Sequence, residues 1–329
     1  MVLVAGASDP LHNGEKKITS VTTNTISYAV DPAAATSPTG TISVKMAPLG
    51  WNSPFTGTNL AVYTSANPQS LGMLLRVDDT GTLNSRVVGY ESMTDVNTGN
   101  GPFPVASQQA GGLYWPKSSQ ANTNATQWYV IGDSKRFFYW CAPNNAGSAP
   151  QNGILTFFGD PILNSSVDAF GTYLLGCASD KTTTSSSVGE CLGYTQWTPS
   201  AVGGYNARAY FQTGGAVQCW RLGGMGGNAM GYSGGSGTTW LNSGLTYPNP
   251  ADNGIILTPL YFGGAGYLRG SIPGIYHCPQ NVIAAFNHLD TMVGSDALVG
   301  RTLQAVRVGA PNSSSSAGYV FFDTTGPWQ

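Results

Sequence analysis

Few residues in this chain have the types and spacing that do chemistry. Gly231-Tyr232-Ser233-Gly234-Gly235 has the letters of a G-x-S-x-G nucleophile elbow. That motif needs a strand leading in and a helix leading out, which together hold a strained serine at the top of a sheet. Here both flanks are glycine and serine, so composition explains the match. Asp95, Asn97 and Asn100 are spaced like the opening of a calcium loop, but Gly99 and Ala106 stand where an oxygen side chain and a closing carboxylate are required. Turn chemistry accounts for the stretch. Asp78 and Asp79 with Glu91 would form a glycosidase pair only if two carboxylates faced each other across a cleft. Asp78-Asp79-Thr80-Gly81 reads instead as a turn, in which Asp accepts backbone hydrogen bonds and Gly takes positive φ. His277 and Cys278 are adjacent and so point to opposite faces of a strand, while His288 and His12 lie apart, which is not the spacing of a tetrahedral zinc site. No GxxxxGK is present to cradle phosphates. The chain therefore offers no catalytic residue, no metal ligand set and no cofactor site.

The elements that would position any such group are short strands. LAVYTSA and GMLLRVDD read as adjacent antiparallel strands, followed by RVVGYESM. WYVIGDSKRFFYWCA reads as strand, turn, strand, with the reversal at Gly132-Asp133-Ser134-Lys135 and with Trp128, Val130, Phe138 and Trp140 on one face in the simplest register. DVNTGNGPFP, residues 95–104, is expected to be an ordered loop pinned by Phe103, because two prolines remove donors and its glycines and asparagines favour left-handed backbone. GILTFFGD, GTYLLGCA, a hairpin of RAYFQ with VQCWRL around Thr213-Gly214-Gly215, GIILTPLYF, GYLRGSIPGIYHC, TLQAVRVGA and AGYVFFD supply further strands. ITSVTTNTISYAV reads as one half-buried strand, and NVIAAFNHLD offers a short helical turn. SDKTTTSSSVGE is expected to be exposed. Such a pattern, with little 3.6-residue periodicity and no fixed repeat, predicts an all-β, antiparallel sandwich or barrel-like assembly with long glycine-rich loops. Residues 1–17 read as an N-terminal arm and 18–329 as a β-rich body, which two packed subdomains would also satisfy.

Charged residues make up only 9 % of the 329, glycine reaches 44, and the formal net charge is −2. The basic residues are scattered, so no electrostatic footprint for direct nucleic-acid binding is present. Weak self-repulsion favours permanent assembly, with copies of the same chain as partners. The N-terminal stretch lacks a basic region before its apolar run, and no segment is long and apolar enough for a membrane span, so a cytoplasmic product is expected. Five cysteines without CxxC spacing read as mostly buried thiols. Tryptophans lie mostly beside glycine, proline or polar residues; the bulk should be core, and the rest would anchor partners or stack on sugars. Tyr114, Trp115, Met225, Met230, Tyr232, Trp240 and Trp328 are the interface candidates, four of them in or beside the glycine-dense GGMGGNAMGYSGGSGTTW.

Gly50-Trp51 with FTGTNLAVY, LLRVDDTG, GYESMTDVNTGNGPFP, GGLYWPKS, WYVIGDSKRFFYWC, the FFGD at 157–160, LRGSIPGIYH and the terminal FFDTTGPW together resemble a family of virion structural proteins of tailed bacteriophages. The resemblance runs from about residue 50 to the end. It implies a noncatalytic β-rich virion component of the tail tip or baseplate, assembled in the bacterial host cytoplasm, with other virion proteins as partners and no active-site residues to carry over. A host-attachment protein contacting surface glycan, or a capsid-decorating or head-fibre protein, is the alternative.

Overall fold

The computed structural model describes residues 1–144, 152–180, 203–223, 246–264, 267–309 and 317–328. The chain is all-β and antiparallel, and it divides into two compact units, Met1–Asn52 and Ser53–Gln329. Among the described residues no helix is long and apolar enough to cross a membrane.

In the first unit, strands β1 (Val2–Ala5), β2 (Gly14–Lys16) and β5 (Ser43–Met46) form a sheet with β1 central. Residues 1–17 are therefore not a free arm. Their β1 registers on β5, pairing Val2 with Met46 and Ala5 with Ser43, and the Ser8 N–H donates to the Thr39 carbonyl at 2.7 Å. The stretch read as one strand from residue 18 is a hairpin of β3 (Ile18–Val21) and β4 (Ile26–Tyr28). It reverses where the Thr22 N–H donates to the Thr25 carbonyl, and the two threonine hydroxyls meet at 2.6 Å. Val4, Ala7 and Ala47 are the buried apolar residues here, whereas Val21, Ile26, Ile42 and Val44 are exposed.

The second unit begins with a six-stranded sheet of β6 (Trp51–Gly57), β7 (Leu60–Ser65), β8 (Leu74–Asp78), β9 (Asn84–Met93), β10 (Gly99–Phe103) and β11 (Leu113–Pro116). Its order is β10-β9-β8-β7-β6, with β11 also on β9. The presence of β10 corrects the loop expected over residues 95–104. Pro102 pairs with Tyr90 on an outer strand, where a missing donor disturbs no central ladder. Phe103 is fully buried and lies across β9 at Gly89, where a Cβ would come within 2.3 Å of its ring.

A second sheet runs β12 (Gln127–Gly132), β13 (Arg136–Ala142), β14 (Ile154–Gly159), β16 (Tyr173–Leu175), β17 (Gly204–Asn206) and β18 (Val217–Gln218). The third contains β19 (Trp220–Gly223), β20 (Thr258–Gly264), β21 (Tyr267–His277), β24 (Ala317–Asp323), β23 (Thr302–Gly309) and β22 (Thr291–Val293), in that order, with β15 (Ile162–Leu163) also on β21. VQCWRL is thus not one strand: it changes sheets at the fully buried Cys219, as chains do at sandwich corners. RAYFQ is not a strand either, because β17 ends at Asn206 and residues 207–216 form the connection to β18. NVIAAFNHLD makes only a turn, with the Phe286 N–H donating to the Val282 carbonyl at 3.2 Å.

The second and third sheets pack face to face. Phe138, Trp140, Leu155, Phe157 and Tyr173 from one meet Leu260, Phe262, Ile272, Val306 and Phe322 from the other. Each such side chain withdrawn from water contributes about 1.5–3 kcal/mol. The opposite face of the second sheet is covered by Trp115, stacked on Tyr139 at 5.8 Å and edge-on to Phe137 at 5.9 Å. With both faces covered, β14 is buried at every position.

The β12–β13 hairpin has a different register from the expected one. Trp128 pairs with Cys141 and Tyr129 with Trp140. Asp133 sets this register: its carboxylate accepts the N–H groups of Lys135 and Arg136 while its own N–H donates to the Arg136 carbonyl, leaving a two-residue reversal at Ser134 and Lys135. A one-residue slip moves a whole strand face. Phe138 and Trp140 enter the core with Tyr129 and Ile131, and Trp128 and Val130 are left exposed.

Candidate functional site

The carboxylates that could have carried chemistry are clips within the scaffold. Asp78 lies opposite Arg86 on β8–β9, and Glu91, five positions along β9, projects from the other face, so the two never face one cleft. The Asp78 carboxylate accepts the Thr80 N–H, and its pKa is lowered first by hydrogen bonding from Thr80 and further by Arg76 and Arg86. Asp79 accepts the Ser85 hydroxyl at 2.6 Å and pairs with Lys117 at 2.7 Å. Asp95 closes a turn by accepting the N–H groups of Asn97 and Thr98, and the first of these contributes most to lowering its pKa. Asp160 takes the hydroxyls of Ser70 and Thr172 and the Leu71 N–H.

Cys141, Cys177, Cys219 and Cys278 are buried and form no disulfide among the described residues. Burial pushes both Cys141 and Cys278 up to about 12, far from a reactive thiolate. His277 ends β21 in a buried position, and Cys278 packs with Val282, Leu303 and Phe321. Among the described residues no three His, Cys, Asp or Glu side chains gather in a way that would hold a metal ion.

The interface candidates separate into three groups. Trp115 is only 6 % exposed, and its indole N–H donates to the Leu175 carbonyl at 3.1 Å, so it packs within this chain and is not a surface anchor. Tyr114 is half-buried under the Arg86 guanidinium, 3.7 Å from its ring centroid. Trp328 closes the end of the sandwich: it stacks on Phe322, meets Phe138 edge-on, and donates its indole N–H to the Asp323 carbonyl. Met225, Met230, Tyr232 and Trp240 lie outside the described residues, as do Ser233, Cys191 and most of the polar stretch after Ser179.

A different surface carries the features of a contact site. Tyr210 is 53 % exposed, Phe211 61 % and Val167 73 %. The Tyr210 ring lies edge-on to Phe211 at 5.2 Å and against Tyr267 at 4.9 Å, while the Gln212 amide donates to the Val167 carbonyl at 2.7 Å. Three segments thus meet: the connection after β15, the connection between β17 and β18, and the start of β21.

A buried ion pair holds them together. The β20–β21 register shifts so that Phe262 faces Gly270 and Gly263 faces Leu268, leaving Arg269 as the unmatched residue of a bulge. Bulges re-aim side chains. The Arg269 guanidinium meets the Asp168 carboxylate through two bonds, Nε to Oδ2 at 2.8 Å and Nη2 to Oδ1 at 2.9 Å. It also donates to the carbonyls of Arg208 and Phe170, at 2.7 and 3.1 Å. One buried cation therefore ties both connections to the strand. Arg208 is in turn paired bidentately with Glu91, both bonds at 2.6 Å, and lies over the Phe170 ring.

Gln212 has a left-handed backbone, φ 64°, uncommon outside glycine and held here by its N–H bond to the Ala209 carbonyl. Desolvation, with Cys219 adding, raises Tyr267 to about 12, so its hydroxyl remains neutral. The surface is apolar and is braced from beneath by the Asp168–Arg269 pair.

Sequence reasoning missed Val167, Tyr210, Phe211 and Tyr267. One signal was present in RAYFQ: consecutive large rings fit poorly on a strand with a single covered face, since neighbours alternate between faces. Asp168 and Arg269 stand 101 positions apart with no local motif joining them. No protein-family model matches this chain, and no curated protein matches it.

Proposed function

We propose that this chain is a noncatalytic structural component of a tailed-bacteriophage virion, at the tail tip or baseplate, working as a symmetric oligomer. The observation that carries the reading is the exposed Tyr210–Phe211–Val167 surface, braced by Asp168 and Arg269. Contiguous exposed apolar surface on a folded chain marks an interaction site. The low charge, and the resemblance read from the sequence to virion structural proteins, support the same reading. So does the first unit, which buries few apolar side chains and leaves Val21, Ile26, Ile42 and Val44 exposed.

The test is immunogold labelling of phage particles produced from a genome that encodes the chain. Label at the tail end is expected; particles without label would exclude a virion component. A host-attachment role is the second reading, favoured by the Tyr210 and Phe211 rings, whose faces suit stacking on sugars. Binding of purified chain to host cells, competed by extracted surface glycan, would select it. Label on heads would select a decorating role.

A further inference from the structure

Resting on the proposed assembly into a symmetric oligomer, we infer that the Val167–Tyr210–Phe211 surface is where copies of this chain meet one another, around a rotation axis close to Phe211. Where identical patches meet about an axis, residues close to that axis come near their own copies, so an unpaired charge there would face its like. This patch has its marginal charges closed on themselves: Arg208 is paired with Glu91, and Arg269 with Asp168.

The dimensions fit as well. The exposed parts of Tyr210, Phe211 and Val167 amount to roughly 400 Å². That is about half of the ~800 Å² each partner contributes to a stable interface, and interfaces of this kind are a little over half apolar. The exposed Ser165, Ser166 and Thr213 stand around it as a polar rim. Pre-formed bracing removes the ordering entropy that a loose loop would lose on association.

The test is sedimentation equilibrium of the full chain from about 0.1 to 100 μM. Wild type is expected to associate, and Phe211→Asp to weaken that association at least ~100-fold, since a central aromatic is lost from every copy and like charges are brought together. Tyr210→Ser should weaken it in the same direction. Tyr63→Asp, at an exposed site on β7, should associate as wild type does. Circular dichroism establishes that each variant is folded. Folded Phe211→Asp and Tyr210→Ser that associate like wild type would overturn the inference while leaving the virion reading to stand on particle labelling. A wild-type monomer across the range would overturn it too, as would a monomer whose Tyr210 environment responds to added host glycan.

Discussion

Asp168→Ala is the perturbation whose consequence follows most directly from the geometry. Both ends of the Asp168–Arg269 pair are almost fully buried, with side chains 2 % and 1 % exposed. Removing the carboxylate deletes both of its bonds to the guanidinium and the one it accepts from the Phe170 N–H, and leaves the guanidinium to the carbonyls of Arg208 and Phe170. A buried charge stripped of its partner destabilises by about 3–5 kcal/mol. For a unit of this size that corresponds to a fall in Tm of roughly 5–9 °C. Urea unfolding followed by tryptophan fluorescence measures the loss, and amide exchange should show the amides around Asp168 and Tyr210 losing protection first. The decisive comparison is Asp168→Leu with Arg269→Met. Replacing both charges by apolar groups removes the desolvation penalty together with the attraction, so the double variant should lie within ~1–2 kcal/mol of wild type and be more stable than Asp168→Ala alone. An Asp168→Ala loss below ~1 kcal/mol would refute the bracing role, as would a double variant no better than the single.

His288 should impose an acid limb on stability. Its ring stacks on Trp140 at 4.6 Å and accepts the Arg307 N–H; burial, with Arg307 adding, pushes its pKa down to about 4 from 6.5. As pH falls below 6.5 the unfolded chain binds a proton that the folded chain refuses, so stability declines until about pH 4. Because the ring is partly exposed, the full linkage value is discounted to about 1–2 kcal/mol. His288→Leu should flatten that limb in urea titrations at pH 7 and pH 4.5; an unchanged slope would count against it. Gly89→Ala should destabilise by about 1–3 kcal/mol through overpacking, since the added Cβ enters the Phe103 ring. Relief by Phe103→Leu in the same background would locate the clash, and no relief would exclude it.

Much of the sandwich is legible because its strands are short β-branched and aromatic runs closed by Gly, Asp and Pro. LAVYTSA with GMLLRVDD is such a case, as β7 and β8 pair in register from Leu60–Asp78 to Thr64–Leu74. Register is less legible. Whether Trp128 or Tyr129 entered the core turned on one residue of reversal length, decided by which backbone N–H groups the Asp133 carboxylate captures. The contact surface was not legible at all. It depends on a bulge at Arg269, on an ion pair between remote positions, and on residues 207–216 forming a connection in place of the strand that RAYFQ resembles. Trp115 shows the converse, since an aromatic beside proline and near glycine looks exposed until a second sheet face is available to receive it.

The most direct test of the central claim is to locate the chain on phage particles with gold-labelled antibody raised against the purified protein. A structural component of the tail tip or baseplate predicts label confined to the tail end, repeated with the symmetry of the particle. Particles that carry no label, with all of the protein remaining free in the lysate, would contradict it.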